Sequence, residues 1–124
     1  MKTTGYPVKN FPMPTKRYCQ TLDLKNDPAL IDEYEKRHLE IWPEIREGLH
    51  SVGVLDMEIY RLDNRLFMIV ETAADFEWEK AFTRLAMLPR QQEWEDYMSL
   101  FQEARPGASS REKWKMMDRM FTLD

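Results

Sequence analysis

The chain has 124 residues, 43% of them apolar and 32% charged, and its net charge is −4. That length is one domain with a single core, and the balance is that of a folded chain, not a disordered one. Acidic and basic residues are interleaved, so no basic stripe points to nucleic acid and no cationic cluster to an anionic membrane, while the apolar runs fall far short of a bilayer span.

Cys19 is the single cysteine, which excludes a disulfide framework and a thiol-rich metal site. With two histidines, a zinc site would have to lean on scattered carboxylates, and none is expected. The chain does not open with the charged start and apolar middle of a signal peptide, so a cytoplasmic location is the expectation. Four Trp, five Tyr, six Phe and nine Met form the one compositional bias. Such side chains fill cores, and their flat faces also pack against the C–H faces of sugars.

Residues 1–14 contain Gly5, Pro7, Pro12 and Pro14 and read as a flexible arm preceding a single domain over 15–124. Thr15 to Leu24 is rich in strand formers and predicts the first strand, with Tyr18, Gln20, Leu22 and Leu24 on one face. Asn26-Asp27-Pro28 is a helix start, because Asp27 can accept at the cap and Pro28 suits the first helical position. The helix is expected to continue to about Ser51, with a kink or break at Pro43 and a terminator at Gly53. Along it, Tyr34, His38 and Trp42 recur at four-residue steps beside Ile31, Ile41, Ile45 and Leu49, while most acidic residues take the other face. An imidazole, a phenol and an indole thus meet where the helix is irregular. Spacing alone leaves two readings of His38 open, a hydrogen-bonded core residue or a reacting group.

Leu55 to Leu62 and Arg65 to Thr72 predict two strands joined at the Asp63-Asn64 turn. Asp75 is expected to cap a helix carrying Phe76, Trp78, Phe82 and Leu85, and a second segment from about Pro89 to Glu103 brings Trp94, Tyr97, Met98 and Phe101 to one side. Alternation from Trp114 to Leu123 predicts that part of this stretch is the last strand. Strand, helix, two strands, helix pair and strand make a ferredoxin-like α+β sandwich, an antiparallel sheet with helices on one face. Its bare face is expected to pack against a second copy, giving a homodimeric barrel.

Tyr34-x-x-x-His38-x-x-Ile41-Trp42-Pro43-Glu44, Gly53 before a strand, Leu66-Phe67, Trp94-x-x-Tyr97-Met98 and the terminal Phe121-x-Leu123 together resemble the L-rhamnose mutarotase family. The resemblance runs from about Lys16 to the end. It implies a dimeric α+β barrel that interconverts the α and β anomers of a 6-deoxy sugar without a cofactor. It also implies His38 as proton donor and Tyr34, Trp94, Met57 and Glu95 as sugar-contact positions, beside which Trp42 is expected to contact the sugar as an apolar wall. Two of these depart from the family pattern: Glu95 stands where the second of a Trp pair is found, and Met57 stands for a Tyr. Both departures put the sugar, L-rhamnose or L-fucose, in question and leave the reaction type standing.

Mutarotation opens a pyranose and closes it on the other face of C1, so a proton leaves the anomeric hydroxyl as one reaches the ring oxygen. Imidazole, with an ordinary pKa of about 6.5, suits that task. The expectation is that His38 protonates the ring oxygen and later recovers the proton, with Tyr34, Glu95 or a water as partner. Trp42 and Trp94 are expected as apolar walls, and His50 as a surface residue. Two rivals remain at this stage: a cofactor-free monooxygenase on the same small barrel, and a non-catalytic binding module with a Trp-rich interface.

Overall fold

The computed structural model describes residues 2–105 and 107–124. Its elements are a 3₁₀ turn (Lys2–Thr4), β1 (Thr15–Asp23), α1 (Pro28–Leu39), α2 (Pro43–Ser51), β2 (Val54–Leu62), β3 (Arg65–Ala73), α3 (Trp78–Ala86), α4 (Gln91–Ser99), α5 (Ser110–Lys113) and β4 (Lys115–Met117). The strands lie in the order β2-β3-β1-β4, and every neighbouring pair is antiparallel. This is the ferredoxin-like α+β arrangement, with β2 and β4 at the two edges.

Register explains which face is covered. Leu22 pairs with Leu66, Gln20 with Met68 and Tyr18 with Val70, and this row packs into one apolar cluster with Ile31, Tyr34, Ile45, Phe82, Leu85, Trp94 and Met98 from the helices. Each large apolar side chain buried there contributes about 1.5–3 kcal/mol. The alternate row, Cys19, Phe67 and Ile69, is half-buried on the opposite face. A register shift between Val54 and Asp56 in β2 marks a bulge.

Local chemistry sets most boundaries. Asp27 caps α1 by accepting from the Ala29 backbone N–H at 2.9 Å, and Pro28 opens the helix. Gly53 ends α2 at φ 108°, and a side chain there would press on the Phe76 ring at 3.1 Å. Asp63, at φ 53°, makes the hairpin turn between β2 and β3.

Two expectations need correction. Asp75 does not cap α3, which begins at Trp78 with Glu77 at the cap. Phe76 is drawn away instead: its N–H bonds to the Ala73 carbonyl at 3.1 Å, its own carbonyl accepts from Lys16, and its ring lies against Tyr18. The α4 segment ends at Ser99, not Glu103, because residues 101–103 turn back to the end of β1 through Lys25 N–H to Phe101 O and Glu103 N–H to Asp23 O, both 2.8 Å. Part of the alternating stretch is the last strand, as expected: β4 takes Lys115–Met117, and Met120, Phe121 and Leu123 extend beyond it, exposed.

Among the described residues no helix is long and apolar enough to cross a membrane. Tyr6, before β1, meets the Tyr60 ring edge-on at 5.7 Å, and Lys9 pairs with Asp56 at 3.0 Å.

Candidate active site

Pro43 positions the site. It cannot donate into the preceding turn and holds the residue before it extended, so α1 stops at Leu39 and Trp42 becomes the N-cap of α2 at φ −62°, ψ 136°. Trp42 therefore swings across to α4, where its ring meets Trp94 at 5.0 Å and stacks on Tyr97 at 6.0 Å. Arg90 lies over its other face at 4.1 Å.

His38 sits in the last turn of α1, one turn beyond Tyr34. The two rings are 4.4 Å apart, and the Trp94 indole meets the imidazole edge-on at 5.6 Å. Nδ1 of His38 lies 3.0 Å from the Tyr34 carbonyl oxygen. A carbonyl only accepts, so Nδ1 carries the proton and Nε2 is left with its lone pair. Burial pushes the imidazole below its ordinary pKa, and the bond to the carbonyl opposes that shift without cancelling it. His38 is thus a neutral base at rest near pH 7.

Beside it lies an open trough of about 1260 Å³, lined by Tyr34, His38, Arg46, His50, Met57 and Arg61 with other residues of α1, α2 and β2. It is wider than a pocket closed around one small molecule, for which about 300–1,000 Å³ is typical. The trough mixes apolar floor and polar rim: Met57 and Ile59 come from β2, while Arg61 bonds Glu35 at 2.5 Å on its margin. His50 repeats the His38 geometry, with Nδ1 2.9 Å from the Val54 carbonyl.

The structure brings Tyr34, His38 and Met57 to the trough and places Trp42, Trp94 and Glu95 elsewhere. Trp94 is 5% exposed and backs the imidazole from the core side, and Trp42 is held between Trp94, Tyr97 and Arg90. Of the two indoles, Trp94 meets His38 directly and Trp42 packs on Trp94. Glu95 does not line the trough and is not solvated. It is buried, accepts from Gln91 Nε2 at 2.7 Å and pairs with Lys113 Nζ at 2.7 Å, and the lysine side chain is fully enclosed.

Sequence reading also missed Arg46 and His50 as trough residues. The signal was present, since positions 34, 38, 42, 46 and 50 continue one series of four-residue steps. Both are exposed, as expected of His50, and they border the trough from α2. Tyr34 itself is buried, and burial raises its phenol well above the usual range, so it stays protonated. Among the described residues no group of three or more His, Cys, Asp or Glu is placed to hold a metal ion.

Comparison with known proteins follows the same residues. The model of the L-rhamnose mutarotase family matches residues 17–123. An L-fucose mutarotase of Xanthomonas campestris is 40% identical over 113 residues, covering 90% of each chain. An L-rhamnose mutarotase of Paraburkholderia phymatum is 40% identical over 80 residues, 63% of this chain and 70% of its own. Among solved structures, an L-rhamnose mutarotase from Formosa agariphila superposes with a TM-score of 0.68 at 22% identity, over 88% of this chain and 99% of that one.

Proposed function

The chain belongs to the L-rhamnose mutarotase family, and from that premise we propose that it is a cofactor-free isomerase carrying a 6-deoxyhexose, L-fucose first and L-rhamnose second, between its α and β anomers. The preference for L-fucose rests on the relative that matches over nine-tenths of both chains. An isomerase of this kind sets aside the monooxygenase and the non-catalytic module.

One observation carries the mechanism: the Tyr34 carbonyl accepts the hydrogen bond from Nδ1–H of His38, a residue that lines the trough, and so leaves Nε2 with its lone pair. Nε2 removes the proton of the anomeric hydroxyl while the bond from C1 to the ring oxygen breaks. The resulting imidazolium returns that proton to the ring oxygen, giving the open-chain aldehyde and a free hydroxyl. Rotation about C1–C2 exposes the other carbonyl face. Nε2 then takes the hydroxyl proton as the ring closes, and the new anomeric oxygen receives it. One ring serves as base and then acid, so His38 begins by accepting a proton and not by giving one. Help of this kind is worth roughly 10²–10⁴-fold. Tyr34 and Met57 contact the sugar; Trp42 and Trp94 hold the imidazole in place.

A homodimer belongs to this reading. The half-buried row Cys19, Phe67 and Ile69 and the exposed Met120, Phe121 and Leu123 supply apolar surface for a second copy. Residues 1–14 remain an arm and residues 15–124 the mutarotase domain. Light scattering on the purified protein gives the mass that checks the dimer.

Anomeric exchange measured by NMR saturation transfer for L-fucose, L-rhamnose, D-ribose and D-galactose tests the function. Acceleration is expected for the two 6-deoxy sugars, fastest for L-fucose. Unaccelerated exchange with all four would refute it.

A further inference from the structure

We infer that Gln102 is the positioning residue for Tyr34, turning the phenol into a hydrogen-bond donor directed into the trough beside His38. The inference rests on the mutarotase reading for its substrate, while the geometry that supports it is independent of that reading.

Gln102 lies in the segment that follows α4, and backbone bonds hold it. It forms an isolated antiparallel bridge with Leu24, flanked by Lys25 N–H to Phe101 O and Glu103 N–H to Asp23 O at 2.8 Å. Its side chain is fixed from both ends: the residue is 2% exposed, and Nε2 stands 3.2 Å from the Tyr34 hydroxyl oxygen. An amide nitrogen only donates. The phenol oxygen is therefore the acceptor in this bond, and its own proton has to point elsewhere. Among the described residues no second hydrogen-bond partner of that hydroxyl is found, and Tyr34 lines the trough.

The other end of the amide supports the same orientation. Oε1 of Gln102 is a buried polar atom without a partner among the described residues. Turning the amide over would give that oxygen the phenol proton, but it would leave an NH₂ group, with two donors, where one carbonyl now lies. A leucine or methionine would fill the space with no orphaned atom at all. The glutamine makes sense as a device that fixes a proton on its neighbour.

Tyr34 thereby serves the site twice. Its backbone carbonyl sets the tautomer of His38, and its side chain offers a proton that burial keeps in place at neutral pH. A donor fixed beside the base suits the oxygen of a sugar ring or hydroxyl that gathers charge when the ring opens. Tyr34 cannot then be the second proton carrier, and proton transfer stays with His38.

The test is a double-substitution cycle on the full chain, with kcat and KM for L-fucose exchange measured beside thermal unfolding. Tyr34→Phe and Gln102→Leu are each expected to lower kcat/KM about tenfold, the effect of one lost hydrogen bond to a partly charged group. The double variant should lose no more than Tyr34→Phe alone. Equal further loss on adding Gln102→Leu to Tyr34→Phe, or an unchanged kcat/KM in Gln102→Leu, overturns the inference. A readout without sugar separates its failure from that of the mutarotase reading. With ring-¹³C tyrosine, the Cζ signal of Tyr34 is expected to move in Gln102→Leu while those of the other tyrosines stay. An unmoved signal also overturns it, whatever the protein does to sugars.

Discussion

Two adjacent residues of α4 face two very different polar groups. Trp94 backs His38, a half-buried imidazole that lines the trough and has its Nδ1 bonded to the Tyr34 carbonyl. Glu95 holds Lys113, whose ammonium is enclosed and shared among the Glu95 carboxylate at 2.7 Å, the Glu95 carbonyl at 3.0 Å and Ser99. The first group is left incomplete and the second is completed. A buried charge with every bond made is a fastener, since any proton it gave up would cost the bonds that hold it. A buried ring with one bond left unmade can still exchange a proton with something that enters. The difference lies in the count of partners as well as in burial.

That contrast is breakable by substitution. The largest effect on catalysis is expected from His38→Asn, which should slow anomer exchange by roughly 10²–10⁴-fold while the unfolding midpoint stays near that of the parent. Exchange at the parental rate would remove His38 from the mechanism. Lys113→Met should act in the opposite way. It strands the Glu95 carboxylate inside the protein and is expected to cost about 3–5 kcal/mol of stability, read by urea unfolding, with exchange per folded molecule little changed. Adding Glu95→Leu should recover most of that loss, because an apolar pair of similar volume replaces an ion pair at little net cost.

Acidification sharpens the comparison. The folded-state pKa of His38 is depressed, so the stability tied to its neutral form is complete above the ordinary value of 6.5 and is lost as pH falls through the lower folded value. Exchange needs the same neutral ring and should fall with a midpoint below 6.5, which a pH–rate profile reads directly. A midpoint above that value would contradict the burial of the ring. The smallest effect is expected from Gly53→Ala, a control away from both groups. The new methyl must tolerate φ 108° and a 3.1 Å approach to Phe76, costing about 1–2 kcal/mol with unchanged exchange per folded molecule.

Much of the fold could be read in the sequence because it is written in short-range chemistry. The Asp27 cap, the stop at Pro43, the Gly53 terminator and the Asp63-Asn64 turn all act within a few residues, and each stands where expected. The pairing of Tyr34 with His38 followed from helical spacing for the same reason, whereas Trp42 left that series where Pro43 broke the helix. What escaped depends on partners distant along the chain. Glu95 finds its lysine 18 residues later, and Gln102 reaches Tyr34 across 68 residues. No periodicity announces either contact. The start of α3 and the end of α4 shifted because Phe76 and residues 101–103 were claimed by the sheet. Arg46 and His50 were within reach of spacing, but polar residues on a helix are ordinarily assigned to solvent.

The stop at Pro43 has an electrostatic consequence. Because α1 ends at Leu39, His38 lies where the last carbonyls of the helix are unsatisfied and their aligned dipoles present partial negative charge. That field favours an imidazolium, whereas burial disfavours it, so the ring is held between two opposed influences. The length of α1 then becomes a control on the proton affinity of His38. Were position 43 a residue able to continue the helix, its negative end would move a turn onward, and the brief positive charge that ring opening places on His38 would lose its nearest counterweight.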